Sequence, residues 1–317
     1  MAKIVTLTLN PALDLSTSTD KVRPTHKLRC AEPRLEPGGG GINVARVAHA
    51  LGGDVTAVFP CGGPTGATFE KLLRDTCVPI APVPIAGATR ESFTVDESDS
   101  GEQYRFVLPG PTLAEAEIEQ LLQTVIGMDG PPAYVVASGS LPPGCDPAIF
   151  HKLCGLCGKI GARLVVDTSG PALAALEGGC AWLIKPSLRE VQELVGRDLA
   201  SEADECAAAR ELRDRGFADV VVVSLAERGA LLVTERTELR LPAIEVPAGS
   251  AVGAGDSMVA GLTLALAADK SLEDALLYGI AAGAGALLTP GTELVRREDV
   301  ERLYSAALAR GSAQNRS

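Results

Sequence analysis

Short apolar runs recur along the chain and alternate with stretches of helical spacing. Lys3–Leu9, Val55–Phe59, Tyr134–Ala137, Arg163–Val166, Trp182–Ile184 and Val220–Ser224 read as strands, several of them without clean polar alternation. Missing alternation suits strands covered on both faces of a parallel sheet. Between them, Leu113–Ile126, Pro147–Ile160 and Ala203–Arg215 repeat apolar residues at helical intervals. Strands alternating with helices predict βαβ units and a layered α/β architecture. Two stretches break the rhythm. Lys27–Leu35 and Glu91–Leu108 read as strands outside the βαβ series, and Ser98-Asp-Ser-Gly101 within the second, between alternating flanks, signals a hairpin.

Composition narrows the function classes. With 317 residues, 46% of them apolar, the chain can bury a large core and is not a disordered polymer. A formal net charge of −11 argues against a nucleic-acid surface or an anionic membrane as partner. It leaves room for a phosphorylated small molecule, which needs only a few local cations. Eight cysteines without a scaffold rhythm predict reduced thiols and a cytoplasmic protein. Cys154-Gly-Leu-Cys157 is a lone C-x-x-C in a helical pattern, where both thiols are expected to pack as small apolar groups. No apolar run reaches about 18 residues, so no membrane span is expected. The chain is expected to form a single domain over 1–310, with a polar tail at 311–317.

Two glycine-rich segments carry the chemistry. Val252-Gly-Ala-Gly-Asp-Ser257 precedes an apolar helical run. Small residues let backbone approach a ligand, and a helix start offers free N–H groups and the positive end of its dipole to a phosphate. A carboxylate there would repel a phosphate unless it serves to take a proton from an incoming hydroxyl. The alternative reading is a tight loop with Asp256 merely favoured by the helix dipole. Near the N-terminus, Glu36-Pro-Gly-Gly-Gly-Gly-Ile-Asn-Val-Ala-Arg46 sets four glycines ahead of an amphipathic segment.

These segments, with Thr6-Leu-Thr-Leu-Asn-Pro-Ala-Leu-Asp14, Gly101-Glu-Gln-Tyr-Arg-Phe106, Ser138-Gly-Ser-Leu-Pro-Pro-Gly144 and Ile184-Lys-Pro186, closely resemble the PfkB (ribokinase-like) carbohydrate kinases in order and spacing. The resemblance spans nearly the whole chain. It implies a three-layer αβα fold with a mostly parallel central sheet and a small β-sheet lid, formed by segments near 11–37 and 88–109. It also implies that the lid mates with that of a second copy, giving a homodimer.

By the same resemblance, Asp256 is the catalytic base, with Gly253, Ala254 and Gly255 as the phosphoryl cradle. Asp14, Gly39, Gly40, Asn43 and Ser138 are implied sugar contacts, and Lys27, Arg90 and Arg105 the cations for the substrate phosphate. An Arg on a strand is otherwise a solvated or snorkelling side chain, and Asp14 is otherwise a turn former. On the nucleotide side the resemblance implies Lys185, Ser187, Glu190, Ser224 and Gly229, with Glu190 helping to order magnesium. Family members carry Asn-x-x-Glu where this chain has Ser187-Leu-Arg-Glu190, which is also a capping box. Ser250, Val252, Ala286 and Gly291 match a monovalent-cation (K+) loop, although Thr289 and Glu293 depart from its pattern. At 3% aromatic residues, an adenine slot is expected from small residues, Ala282–Leu288 with Val246 and Ala251, rather than from stacked rings.

The function implied is ATP- and Mg2+-dependent phosphorylation of fructose 6-phosphate at its 1-hydroxyl. Kinases of tagatose 6-phosphate or fructose 1-phosphate are the alternatives; in those branches a Lys typically interrupts the glycine run, which is unbroken here at Gly38–Gly41. A catalytically silent sugar-phosphate or nucleotide sensor is the alternative of another class, and the retained Asp256 speaks against it. A nicotinamide dehydrogenase fails on spacing, since no G-x-G-x-x-G follows the first strand directly.

Overall fold

The computed structural model describes residues 2–179, 181–247, 253–289 and 294–314. The chain opens with β1 (Ile4–Leu7), β2 (Ala12–Thr19), β3 (Arg34–Gly38), α1 (Gly40–Ala50), β4 (Val55–Cys61), α2 (Gly63–Asp75) and β5 (Ile80–Pro84). It continues through β6 (Arg90–Glu97), β7 (Gln103–Val107), α3 (Glu115–Ile126), β8 (Tyr134–Ser138), α4 (Ile149–Ile160), β9 (Arg163–Asp167) and α5 (Gly170–Ala174). Next come β10 (Ala181–Ile184), α6 (Leu188–Val195), α7 (Glu202–Asp214), β11 (Ala218–Ser224), β12 (Ala230–Val233) and β13 (Glu238–Leu241). Three helices finish it: α8 (Ala254–Ala267), α9 (Leu272–Ala286) and α10 (Arg297–Gln314).

Nine strands form one sheet in the order β13-β12-β11-β10-β9-β8-β1-β4-β5. Its seven strands from β11 to β5 run parallel, and β12 and β13 are added antiparallel at one edge. The apolar runs explain this position. β1 and β8 are buried along their whole length, and two hydrophobic cores lie on opposite faces of the sheet. One core is dominated by α1, α8 and α9 and the other by α3, α4 and α7. α8 is buried almost all round from Ser257 to Ala267, as an apolar helix wedged between sheet and neighbours must be. Its small residues let α9 approach closely: a Cβ on Gly261 would lie 2.7 Å from that of Ala282.

The expected lid is a separate four-stranded sheet, β3-β2-β6-β7, with β6 and β7 forming the anticipated hairpin. One expectation needs correction. Residues 27–33 form no strand; the strand begins at Arg34 and runs to Gly38. β3 is an edge strand, and Pro33 and Pro37 cannot donate to a ladder, so pairing is possible only where the partner strand does not need their N–H. The exposed stretch before it is tied to β2 mainly by Ala31 N–H to Ser18 O and by Thr17 and Thr19 hydroxyls.

The cysteines bring a second correction. Cys154 is disulfide-bonded, against the expectation of reduced thiols throughout. Cys157 is free and buried, so the C-x-x-C pair is not bridged within itself. Spacing along one helix does not reveal which thiol the fold brings to Cys154. Among the described residues, no helix is long and apolar enough to cross a membrane. α10 continues to Gln314, into the stretch read from sequence as a polar tail.

Candidate active site

Two helix N-termini converge at the carboxyl edge of the parallel sheet. α8 starts after Gly253, whose φ of 78° is left-handed and comes easily to glycine. Its hydrogen-bond ladder begins with Ser257 N–H to Gly253 O, so the N–H groups of Ala254, Gly255 and Asp256 have no acceptor within the helix. α1 starts after Gly39, and its ladder begins with Asn43 N–H to Gly39 O. Close approach explains the glycine run: a Cβ on Gly40 would lie 2.3 Å from Ser138 Oγ and 2.7 Å from Gly139 N. Both positive helix ends therefore face the same space.

Asp256 sits in the first turn of α8, and Asn43 Nδ2 donates to its Oδ2 at 2.9 Å. Burial and the nearby Asp167 push its carboxyl up to about 7, against the pull of Asn43 and Lys185. Such a group is poised between acid and base at neutral pH. Lys185 is 8% exposed and pairs with Asp167 at 3.3 Å. Burial works against its ammonium, yet Asp167, Asp256 and Glu190 together raise its pKa. Gly255 faces it: a Cβ there would meet only Lys185 Nζ, 3.8 Å away, so the first turn of α8 opens onto space with a cation across it. Free N–H groups opposite a cation can cradle a phosphoryl group.

Asp14, on β2, lies a lid's width away. In the sheet register it stands beside Glu36 and Ser92, on the same face as Arg34, Thr94 and Arg105. Burial raises its carboxyl to about 6, while Arg90, Arg105 and Arg46 pull down and Glu36 pushes up. Arg34 and Arg105, with Ser92 and Thr94, line a groove on that face. Ser138 closes the other side; its Oγ is buried with no partner among the described residues, a donor waiting for an acceptor.

Arg90 has a second task. Its guanidinium donates twice to Asn10 O and once to Leu108 O, fastening both ends of the lid to the body and leaving two N–H groups for a ligand. Arg105 is exposed on the lid strand. Lys27 lies on no strand of the lid sheet. It lies in the exposed stretch beyond Thr19, five residues past Asp14 on β2, which is about 17 Å along the strand.

Glu190 and Ser187 form the capping box. Glu190 Oε2 accepts from Ser187 N–H at 2.7 Å and Ser187 Oγ–H at 2.8 Å, and Ser187 Oγ accepts from Glu190 N–H at 3.3 Å. Ser224 ends β11 next to this turn, with its N–H on Pro186 O at 2.9 Å, and Gly229 closes the short 3-10 turn that follows. Among the described residues no cluster of three or more His, Cys, Asp or Glu could hold a metal by itself. The oxygen donors near Lys185 do suit a hard cation that takes its other ligands from phosphates.

Ser250, Val252 and Gly291 fall outside the described residues, as does Ala251. The Ala286 carbonyl accepts from the Thr289 hydroxyl at 2.9 Å. The proposed adenine slot is corrected in part. Ala282, Ala284 and Ala286 are buried in helix packing, so only Gly283, Leu287 and Leu288 keep accessible surface there. Gly283 lies against Ala254 O, beside the cradle; Val246 is partly buried against the same core.

Sequence reasoning passed over Asp167, Arg46, Glu36 and Asn10. Asp167 had a legible signal, a lone carboxylate at the end of an apolar run just as Ser138 is a lone hydroxyl. Asn10 ties the lid base to the loop after β8 through Ser140 Oγ and Leu141 O.

Such an arrangement can carry phosphoryl transfer, and the chain is similar throughout to proteins that perform it. The pfkB family of carbohydrate kinases matches residues 3–298. The ATP-dependent 6-phosphofructokinase isozyme 2 of Mycobacterium tuberculosis is 52% identical over 96% of this chain and 90% of its own. That of Escherichia coli is 45% identical over 96% and 99%. The crystal structure of the Escherichia coli enzyme in complex with fructose 6-phosphate superposes with a TM-score of 0.90, over 97% of this chain and 99% of that one. The same enzyme has been solved with potassium and as a tetrameric inhibited form. A 1-phosphofructokinase of Xanthomonas campestris is 34% identical over 84% of this chain and 85% of its own. Over nearly its whole length, this chain belongs to the pfkB family of carbohydrate kinases.

Proposed function

We infer that the chain is an ATP-dependent 6-phosphofructokinase, transferring the γ-phosphoryl group of ATP to the 1-hydroxyl of fructose 6-phosphate. The observation that carries this is Asp256, held by Asn43 in the first turn of α8 and facing Lys185 across an open cradle. Asp256 takes the hydroxyl proton as the oxygen attacks, and the N–H groups of Ala254, Gly255 and Asp256 hold the charge on the moving phosphoryl group. Asn43 keeps the carboxylate oriented. Asp14 and Ser138 fix the sugar hydroxyls, and Arg90 with Arg105 receives the 6-phosphate, for which guanidinium geometry is suited. Bound magnesium would neutralise charge on the ATP phosphates; Glu190, through the oxygen not spent in the cap, and Asp167 are the residues that would hold it. The higher identity to 6-phosphofructokinases and the uninterrupted glycine run favour fructose 6-phosphate over fructose 1-phosphate.

A coupled assay of the purified chain with fructose 6-phosphate, tagatose 6-phosphate and fructose 1-phosphate tests the assignment. The highest kcat/KM is expected for fructose 6-phosphate; a preference for fructose 1-phosphate would overturn it. Arg90→Ala is expected to raise KM for fructose 6-phosphate far more than KM for ATP. Equal increases would leave Arg90 with only its lid-fastening bonds. Glu190→Gln can still complete the cap, so the melting temperature should hold while the magnesium requirement of activity rises. An unchanged magnesium titration would leave that residue its cap alone. Potassium dependence is also proposed, with stimulation by added K+ as its test.

The second copy is proposed at the lid. Leu35, Leu15, Phe93 and Phe106 share one register row, and Phe93 stacks on Phe106 with centroids 4.6 Å apart. Phe106 is nonetheless 45% exposed, as are Leu35 and Phe93 in smaller part. An apolar row left to water on a thin sheet fits a partner surface. Phe106→Asp is expected to convert dimers to monomers in sedimentation velocity; unchanged sedimentation would remove this face from the assembly.

A further inference from the structure

The turn after β11 is clamped from behind by a buried carboxylate. Glu205, on α7, is 3% exposed, and each of its oxygens is taken by a different arginine: Oε1 by Arg228 Nη2 at 2.7 Å and Oε2 by Arg240 Nη2 at 2.6 Å. Burial pushes the Glu205 carboxyl up, but the two guanidiniums outweigh it and keep it ionised. Arg240 comes from β13, and Arg228 from the 3-10 turn Ala226–Arg228 itself. The ion pairs thus join three elements that the sheet ladder alone does not fix to one another.

What the clamp holds is strained. Ala226 has a φ of 53°, in the left-handed region that a Cβ disfavours. Three short backbone bonds close the turn: Leu225 N–H to Gly229 O, Arg228 N–H to Leu225 O and Gly229 N–H to Ala226 O. Ala226, Glu227 and Arg228 are exposed, so packing does not keep them in place. This turn stands at the carboxyl end of β11, where Ser224 pairs with Ser187 beside Lys185 and Glu190. A triphosphate whose terminal group lies in the α8 cradle and passes Lys185 runs toward that wall.

We propose that Glu205 is a positioning residue for the nucleotide: through Arg228 it holds the 225–229 turn in its strained shape as one wall of the ATP site. The proposal rests on the kinase reading above and concerns residues that touch no reacting atom. It assigns a purpose to a buried charge that the chemistry does not use.

The test is a split between the two substrates. Arg228 is 44% exposed on its side chain, so Arg228→Ala should fold normally. It is expected to raise KM for ATP about fivefold or more, with kcat and KM for fructose 6-phosphate within about twofold. Glu205→Gln should move KM for ATP the same way, and the double variant should add little, because both act through one contact. Ala226→Gly in the Glu205→Gln background should recover part of the ATP affinity, since a glycine turn needs no clamp. Should Glu205→Gln fail to fold, Arg228→Ala decides alone. An unchanged KM for ATP in folded Arg228→Ala, or equal rises for both substrates, overturns the proposal. Calorimetric titration of magnesium-ATP without any sugar keeps the two readings apart. A wild-type chain inactive on fructose 6-phosphate sinks the functional reading, while the nucleotide titration of Arg228→Ala still judges the clamp.

Discussion

Asp256→Asn is expected to lower kcat by about 10²–10⁴-fold, the usual worth of a general base. Asparagine keeps the size and planarity of the side chain and still offers an oxygen to Asn43 Nδ2, which now donates to Asp256 at 2.9 Å. Nucleotide binding should hold or tighten slightly, because a negative charge beside the phosphates is gone. The pH profile gives an independent reading. With its carboxyl pushed up to about 7, Asp256 is protonated and inactive below that value, so kcat/KM should climb through pH 7 and level above it. Asp14, at about 6, steepens the lower part of the same limb. In the Asn variant the limb near 7 should vanish. Near-normal turnover, or an unaltered limb, would mean that another group takes the proton and that Asp256 only favours the helix dipole.

Much of this site could be read from the chain because its parts are local. A glycine run before a helix, or a carboxylate in a helix's first turn, is written in consecutive residues, and Gly253 and Asp256 are legible that way, whereas Gly40 and Asn43 came from the resemblance to the kinase family. Six of the seven parallel strands were equally legible, since burial on both faces leaves an unbroken apolar run; the edge strand β5, with two prolines and only partial burial, was not read. Non-local features were not. β12 and β13 extend the sheet by antiparallel pairing of two four-residue strands, too short to show a period. The Lys27–Leu35 strand was misplaced because alternation marks a possible strand without saying where a partner exists. Asp167 matters only because β9 and β10 lie side by side, so the pair with Lys185 is a product of register. The buried alanines of α9 show the reverse error. Small residues read as a ligand slot were spent on close packing with α8.

Lys185→Met should affect the enzyme as deeply as loss of the base, by a different route. Lys185 is the cation that faces Asp167, Asp256 and Glu190 together, and all three raise its pKa against the cost of burial. Methionine matches its length and leaves those carboxylates uncompensated. kcat/KM for ATP is expected to fall by about 10²–10³-fold, because a charge-assisted phosphate contact is lost where water cannot replace it. The base should also change. Without the pull of Lys185, the Asp256 carboxyl moves above 7, so the acid limb of kcat/KM shifts to higher pH. The pH dependence of stability should then become steeper than in the wild type. Burial already pushes Asp167 up against the pull of Lys185. In the variant the folded state holds that proton more tightly than the unfolded chain does. Stability is therefore retained at low pH and lost as pH rises through the folded pKa. Breaking a buried pair costs about 3–5 kcal/mol when the remaining charge cannot neutralise, so thermal melts across a pH series should fall away from the wild type as pH rises. Lys185→Arg separates charge from shape. It keeps the cation for Asp167, so its melts should stay parallel, while its broad fork in an 8% exposed position should still impair turnover. An acid limb that stays near pH 7 in Lys185→Met would mean that Lys185 does not tune the base, leaving it only a contact to the nucleotide.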